Sequence, residues 1–250
     1  MKTFTIMLST AALAATAVAI PAHATPAGAV KNVVLVHGAF VDGSGWKAVT
    51  TILEKDGYHV SVVQPPETSL DDDVAATKRV LDAQDGPTVL VGHSYGGAII
   101  TAAGNNDHVK SLVYVAAFQP DTGESIASLG GSMPPAGAPL KPSADGFLYI
   151  DPAAFHADFA ADLPAAEAGF MARSQVGLSV KAATAAATAP AWKTKPSFAV
   201  VATKDRSINP DLERSMYKRS QATVIELPSS HAVYMSHPAE VAALIERAAQ

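Results

Sequence analysis

Gly92-His93-Ser94-Tyr95-Gly96-Gly97 sets a serine between glycines two residues before it and two after it. The apolar run Pro87-Thr88-Val89-Leu90-Val91 leads into it, and the helix-compatible run Ala98-Ile99-Ile100-Thr101-Ala102-Ala103 leads away. A nucleophile elbow requires that succession of strand, sharp turn and helix. The turn is so tight that only glycine fits at its flanks, and the serine hydroxyl stands clear of the sheet edge. The bare G-x-S-x-G pattern is common by chance, so the weight lies on the strand and helix around it. A serine hydroxyl is a poor nucleophile at neutral pH, and Ser94 therefore calls for a base and an acid elsewhere in the chain.

The chain has eight histidines. His23 falls in the amino-terminal segment, His37 shapes a loop, His59 opens a strand and His93 is part of the elbow. His108 sits in a turn, His156 lies in an insertion, and His237 precedes Pro238 as a capping residue. His231 differs, because it follows the strand-like run Thr223–Leu227 through Pro228-Ser229-Ser230, at the sheet edge where Ser94 emerges. It is the expected base. Asp205 ends the apolar run Phe198-Ala199-Val200-Val201-Ala202 and could accept from the His231 ring, fix its tautomer and stabilise the imidazolium. Asp121, in Phe118-Gln119-Pro120-Asp121, is the rival; the chain order nucleophile, acid, base prefers Asp205. Asp211 and Glu213 read as solvated helix residues. An oxyanion formed by attack on a carbonyl needs two N–H donors. Tyr95, next to the nucleophile, supplies one, and Ala39, in His37-Gly38-Ala39-Phe40, is expected to supply the other.

These residues must be positioned by the elements around them. Strand-like runs cover residues 31–36, 59–63, 87–91, 109–116, 197–202 and 223–227, and helix-like runs lie between them. Among these are 46–55, with Trp46 read as core, a helix begun by Asp71-Asp72-Asp73, and a last one from Pro238. Several strands are continuously apolar, as parallel strands covered on both faces should be. The order argues an α/β fold with a doubly wound, mostly parallel sheet. Between the fourth and fifth strands an insertion of about residues 119–195 reads as a helical cap. Its stretch 130–146, rich in Gly and Pro, reads as irregular, and 155–173 reads as helical. Phe147, Tyr149, Phe155, Phe159, Phe170, Met171 and Trp192 are its possible pocket walls, although at helical spacing such residues are more often cap core.

Met1-Lys2, a mostly apolar run to Ile20 and Pro21-Ala22-His23-Ala24 resemble a secretory signal peptide cleaved after Ala24, leaving 25–250 as one domain, exported to the periplasm or secreted. The net charge of −5, without a basic cluster, argues against nucleic acid and anionic membrane surfaces as partners. Without cysteine there is no disulfide and no thiol nucleophile. No cofactor or metal is called for, and oligomeric state has no signal.

The segments 36–46, from Val36-His37-Gly38-Ala39 to Gly45-Trp46, and Val91-Gly92-His93-Ser94-Tyr95-Gly96-Gly97, together with Leu112-Val113-Tyr114-Val115-Ala116-Ala117-Phe118 and Ser229-Ser230-His231-Ala232, resemble the α/β-hydrolase superfamily. The resemblance is to the branch of bacterial esterases, pyrethroid-type carboxylesterases, plant methyl esterases and hydroxynitrile lyases. It implies a Ser94, Asp205 and His231 triad with Ala39 and Tyr95 as oxyanion donors, working on an ester through an acyl-enzyme. The motifs do not specify the substrate; if the apolar residues of the insertion line the cleft, a small, uncharged, partly apolar ester is implied. Two alternatives stay open: cyanohydrin lysis and ligand binding on the hydrolase scaffold. Lyases of that branch typically carry a lysine after the histidine and a hydroxy residue in the first-strand loop, where this chain has Ala232 and Gly38.

Overall fold

The structure, a computed structural model, describes Met1 and residues 30–250. The expected signal peptide lies outside the described residues, apart from Met1. Six strands form one parallel sheet: β1 (Asn32–Val36), β2 (His59–Val63), β3 (Thr88–His93), β4 (Val109–Val115), β8 (Ser197–Ala202) and β9 (Thr223–Leu227). Their order across the sheet is β2-β1-β3-β4-β8-β9. The chain runs outward from β1 to β2, then returns to place β3 on the other side of β1. That reversal opens a crevice at the carboxyl ends of β1 and β3, where open α/β sheets bind ligands.

Successive side chains of a strand point to opposite faces, and here both faces are covered. Val33 and Leu35 of β1, Val89 and Val91 of β3, and Val113 and Val115 of β4 join one buried cluster with Trp46, Val49, Leu53 and Val241. That cluster packs under α1 (Lys47–Lys55) and α10 (Pro238–Ala248). Val34, Val36, Leu90, Leu112 and Tyr114 join the other, with Leu81, Ile99, Leu212 and Met216. Those come from α2 (Leu70–Asp82), α3 (Gly96–Ala103) and α8 (Pro210–Arg219). Each such side chain contributes about 1.5–3 kcal/mol by leaving water. The doubly wound reading of the continuous apolar runs holds for the inner strands, whereas β2 and β9, at the edges, are only partly buried.

Between β4 and β8 the chain forms α4 (Ile126–Ser132), β5 (Lys141–Pro142), β6 (Phe147–Tyr149), α5 (Pro152–Phe159), α6 (Ala165–Met171), β7 (Leu178–Ser179) and α7 (Val180–Thr184). β5, β6 and β7 pair antiparallel in a small second sheet. Two expectations are corrected here. The stretch 130–146 is not wholly irregular: α4 continues through Gly130, Gly131 and Ser132, because a Ser125–Ser128 capping box and buried Leu129 hold it despite the glycines. The run 155–173 is two helices, broken at Pro164, which begins α6. Leu129, Phe155, Phe159, Leu163 and Leu178 belong to the same buried cluster as Leu90 and Ile99, so the insertion shares a core with the sheet. Among the described residues no helix is long and apolar enough to cross a membrane.

Candidate active site

Ser94 sits at φ 54°, in the left-handed region that side chains with a Cβ rarely adopt. Such strain costs on the order of 1–3 kcal/mol and persists only where the surroundings over-determine it. Here they do. Ser94 N–H donates to Val115 O at 3.3 Å, and Ser94 O accepts from Phe118 N at 3.1 Å and Gly97 N at 3.0 Å. A Cβ on Gly92 would lie 2.5 Å from Gly96 O, and one on Gly96 would lie 2.7 Å from His37 O. The two flanking glycines are therefore dictated by close approach of backbone to backbone.

His231 is carried by the loop between β9 and α9 (Val233–Ser236) and is fully buried. Its Nδ1 meets Asp205 Oδ2 at 2.6 Å. Asp205, on the loop after β8, is anchored through its other oxygen, which accepts from Ser207 N at 2.7 Å and Ile208 N at 2.9 Å. The ring of His231 is wedged between Phe159, edge-on at 4.8 Å, and His93 at 4.6 Å. His93 Nε2 lies 3.1 Å from His231 O and holds that backbone. Burial, reinforced by His231 nearby, keeps the His93 imidazole well below its ordinary value, so it is a neutral donor. With Nδ1 fixed by Asp205, His231 Nε2 has no hydrogen-bond partner among the described residues, although it is buried.

Ser94, His231, Ala39 and Tyr95 all line one cavity of about 510 Å³. The backbone N–H groups of Ala39 and Tyr95 have no acceptor among the described residues, whereas the N–H of Phe40 is taken by Val176 O at 3.1 Å. Asp121, the rival acid, is elsewhere: its carboxylate pairs with Lys193 Nζ at 2.5 Å and does not reach the cavity. The walls are mostly apolar, among them Phe118, Ile126, Met133, Leu148, Ile150 and Leu212. Two walls are ionic, Asp158 and Arg206, and they pair with each other at 2.8 Å.

Of the aromatic and methionine side chains expected as walls, Phe159 is the one that lines this cavity. Phe155 is buried behind it, with the two rings stacked at 4.9 Å. Phe170 is 65 % exposed, and with Met171 it borders a separate cleft. Trp192 is buried, donating Nε1–H to Pro120 O at 2.9 Å. His237 begins α10 but makes no side-chain cap bond, and its ring faces Glu240 at 3.5 Å. Trp46 is core, as expected.

Three carboxyl groups near the site escape a reading of the sequence. Glu213 was expected in solvent and is fully buried: its Oε2 accepts from Ala202 N at 3.3 Å, and it meets the Asp205 side chain. Burial, with Asp205 alongside, pushes it well above the carboxylate range, so it holds a proton. Asp211 is exposed and pairs with Arg214 at 2.7 Å, as a solvated helix residue should. Asp73, expected as one of three helix-start carboxylates, turns inward and accepts from Tyr95 Oη. Glu67 is buried at φ 59° beside His37. Helical spacing hints at two of the three: Asp73, Thr77 and Leu81 of α2 are all buried, and so are Glu213, Met216 and Tyr217 of α8.

A family model described as the alpha/beta hydrolase family matches residues 33–244. The chain is similar to a carbendazim hydrolyzing esterase of Nocardioides sp. (strain SG-4G), 34 % identical over 119 residues, covering 42 % of this chain and 49 % of that protein. It is also similar to methylesterase 8 of Arabidopsis thaliana, 29 % identical over 110 residues, covering 38 % of this chain and 40 % of the relative. The chain thus spans about half or less of the curated relatives it matches. Among solved structures, a pyrethroid hydrolase from Sphingobium faniae JZ-2 superposes with a TM-score of 0.72 at 23 % identity, over 88 % of this chain and 97 % of that one. Polyneuridine aldehyde esterase does so with a TM-score of 0.75 at 16 % identity, over 88 % and 100 %. With the family match covering most of the chain and the fold shared almost end to end, this chain belongs to the alpha/beta hydrolase family.

Proposed function

We propose that the protein is a serine esterase that cleaves small, uncharged, partly apolar carboxylic esters through an acyl-enzyme on Ser94. The observation that carries this reading is the unpartnered, buried Nε2 of His231, with Nδ1 held by Asp205, on the wall of the cavity that Ser94 enters. His231 Nε2 takes the Ser94 proton as Oγ attacks the ester carbonyl, and Asp205 stabilises the imidazolium. The N–H groups of Ala39 and Tyr95 receive the oxyanion. His231 then returns the proton to the departing alcohol, and a water activated by the same nitrogen releases the acid. The insertion acts as a cap that excludes bulk water from these steps.

The walls argue the substrate. Arg206 is neutralised by Asp158, so an anionic substrate meets no free cation among the described residues lining the cavity, while the apolar walls favour an alkyl or aryl group. The esterase names of the relatives support ester chemistry. Cyanohydrin lysis finds less support, because Ala232 places no cation beside the base, and a Cβ at Gly38 would lie 2.6 Å from Ser94 Cβ. Export after cleavage at Ala24 belongs to the same proposal, and the amino terminus of the exported protein tests it.

Fluorophosphonate labelling of the purified protein, with the modified peptide located by mass spectrometry, tests the central claim. Labelling at Ser94 with parallel loss of p-nitrophenyl butyrate hydrolysis is the expected result. A folded protein that neither labels nor hydrolyses overturns the esterase and leaves ligand binding as the reading to pursue.

A further inference from the structure

Asp73 sits in the first turn of α2, where Asp71 and Asp72 stay at the surface and Asp73 alone gives up its water. Its Oδ2 accepts from Tyr95 Oη at 2.5 Å, and its Oδ1 accepts from Glu67 N–H at 2.6 Å. Each bond leads toward one of the two amides assigned to the oxyanion. Tyr95 carries one of them itself. Glu67 leads to the other: its buried carboxyl lies 3.6 Å from His37 Nδ1, and that nitrogen lies 2.9 Å from Gly38 O. Gly38 C=O and Ala39 N–H are the two sides of one peptide unit, which is planar and trans, so fixing the oxygen aims the N–H in the opposite direction. Glu67 is tied a third way, since its own carbonyl accepts from Ser179 N of the insertion at 2.9 Å.

Ser94, Phe40 and Glu67, three of the five non-glycine residues with positive φ among the described residues, lie on this path, at 54°, 70° and 59°. Backbone strain of that kind needs fixed surroundings to persist. A carboxylate accepting two hydrogen bonds inside the protein is a rigid, charge-assisted joint.

We propose that Asp73 is a positioning residue of the oxyanion hole, a buried joint that holds the elbow and the first-strand loop at a set separation before substrate arrives. The proposal deepens the esterase reading and rests on it. Donors aimed at an oxyanion accelerate reaction because they need not reorganise as charge develops, and a joint between their two loops keeps them so. Its loss should therefore weaken the transition state and leave ground-state binding alone.

The test compares Tyr95→Phe, which keeps the ring and the backbone N–H but frees one arm of Asp73, with Asp73→Asn, whose amide cannot accept at both ends. Tyr114→Phe is the control, because it removes a buried hydroxyl bonded to Thr101 at 3.0 Å beneath the same helix, away from the cavity. Thermal unfolding confirms that each variant is folded. Tyr95→Phe and Asp73→Asn should lower kcat for p-nitrophenyl butyrate by about tenfold with KM within twofold, a fraction of the loss seen when an oxyanion donor is removed outright. The inhibition constant of an aryl trifluoromethyl ketone, which forms a tetrahedral oxyanion on serine, should rise by the same factor. Tyr114→Phe should keep both values. If Ser94 of the wild type takes the fluorophosphonate but Tyr95→Phe retains kcat and inhibitor affinity, or loses only KM, the joint is overturned alone. A wild type that never labels overturns the esterase and the joint with it.

Discussion

Asp205 and Asp121 are the same residue type and each follows a strand of the same sheet, but their surroundings differ. Asp205 is buried with both oxygens engaged, one by His231 and the other by two backbone amides. Asp121 is 28 % exposed and meets a lysine, an arrangement worth little in water. Asp205→Asn leaves a carboxamide that can present an N–H to His231 and so favours the wrong tautomer. Turnover of p-nitrophenyl butyrate should fall about 10³–10⁴-fold. Asp121→Asn should leave it within a factor of two. Steady-state kinetics of the two variants side by side checks this, and the opposite ranking would transfer the acid role. The residues of the proposed triad were legible as candidates because a tight turn and two strand-end loops are local signals. Glu213 was not, since a glutamate inside a polar helix reads as solvated until the fold closes α8 over Asp205.

At the scale of elements, the cavity is made where the carboxyl ends of β1, β3 and β8 meet the insertion. Ile126 comes from α4, Leu148 from β6, Phe159 from α5 and Leu178 from β7. Leu148, at the centre strand of the small sheet, should set how long an acyl or alcohol chain can enter. Leu148→Trp fills that volume, and each methylene kept out of an apolar wall forgoes about 0.8 kcal/mol. The ratio of kcat/KM for p-nitrophenyl octanoate to that for the acetate should therefore drop by tenfold or more, with the acetate value nearly unchanged. Equal losses for both esters would place Leu148 off the substrate path. Apolar periodicity revealed that the insertion was helix-rich. It did not reveal which faces look inward, and most of the aromatic residues it offered as walls are core or surface instead, because helix-helix packing decides that.

The whole molecule stores buried acid as well as apolar surface. Desolvation, with Asp73 nearby, pushes the Glu67 carboxyl up to about 10 from an ordinary 4.5. The folded chain thus keeps a proton that the unfolded chain releases near pH 4.5. Folding takes up that proton, so this group's contribution is fully present below pH 4.5 and is lost progressively as pH rises toward 10. Glu67→Gln removes the titration while keeping the shape. The melting temperature of Glu67→Gln relative to wild type should therefore climb between pH 5 and pH 9, by about 2–4 °C for each kcal/mol regained in a chain of this size. Differential scanning calorimetry across that range checks it, and a difference independent of pH would mean that Glu67 is ionised in the folded protein.

The sequence by itself determined what is local or periodic: the elbow at Ser94, the order of strands and helices, and the alternation that covers both faces of the inner strands. It also marked His231, Asp205, Ala39 and Tyr95 as candidates, because loops at strand ends keep chemically distinctive residues within a short stretch of chain. Only the tertiary structure decided which polar residues are buried. Asp73 and Glu213 lie on helices whose polar residues face water unless another element covers them, and Glu67 lies in a loop. Covering is a relation between segments far apart in sequence: Asp73 with Tyr95, Glu67 with His37, Glu213 with Asp205. Buried polar contacts made across such distances leave no pattern in the composition of either segment, and so they appear only when the chain is folded.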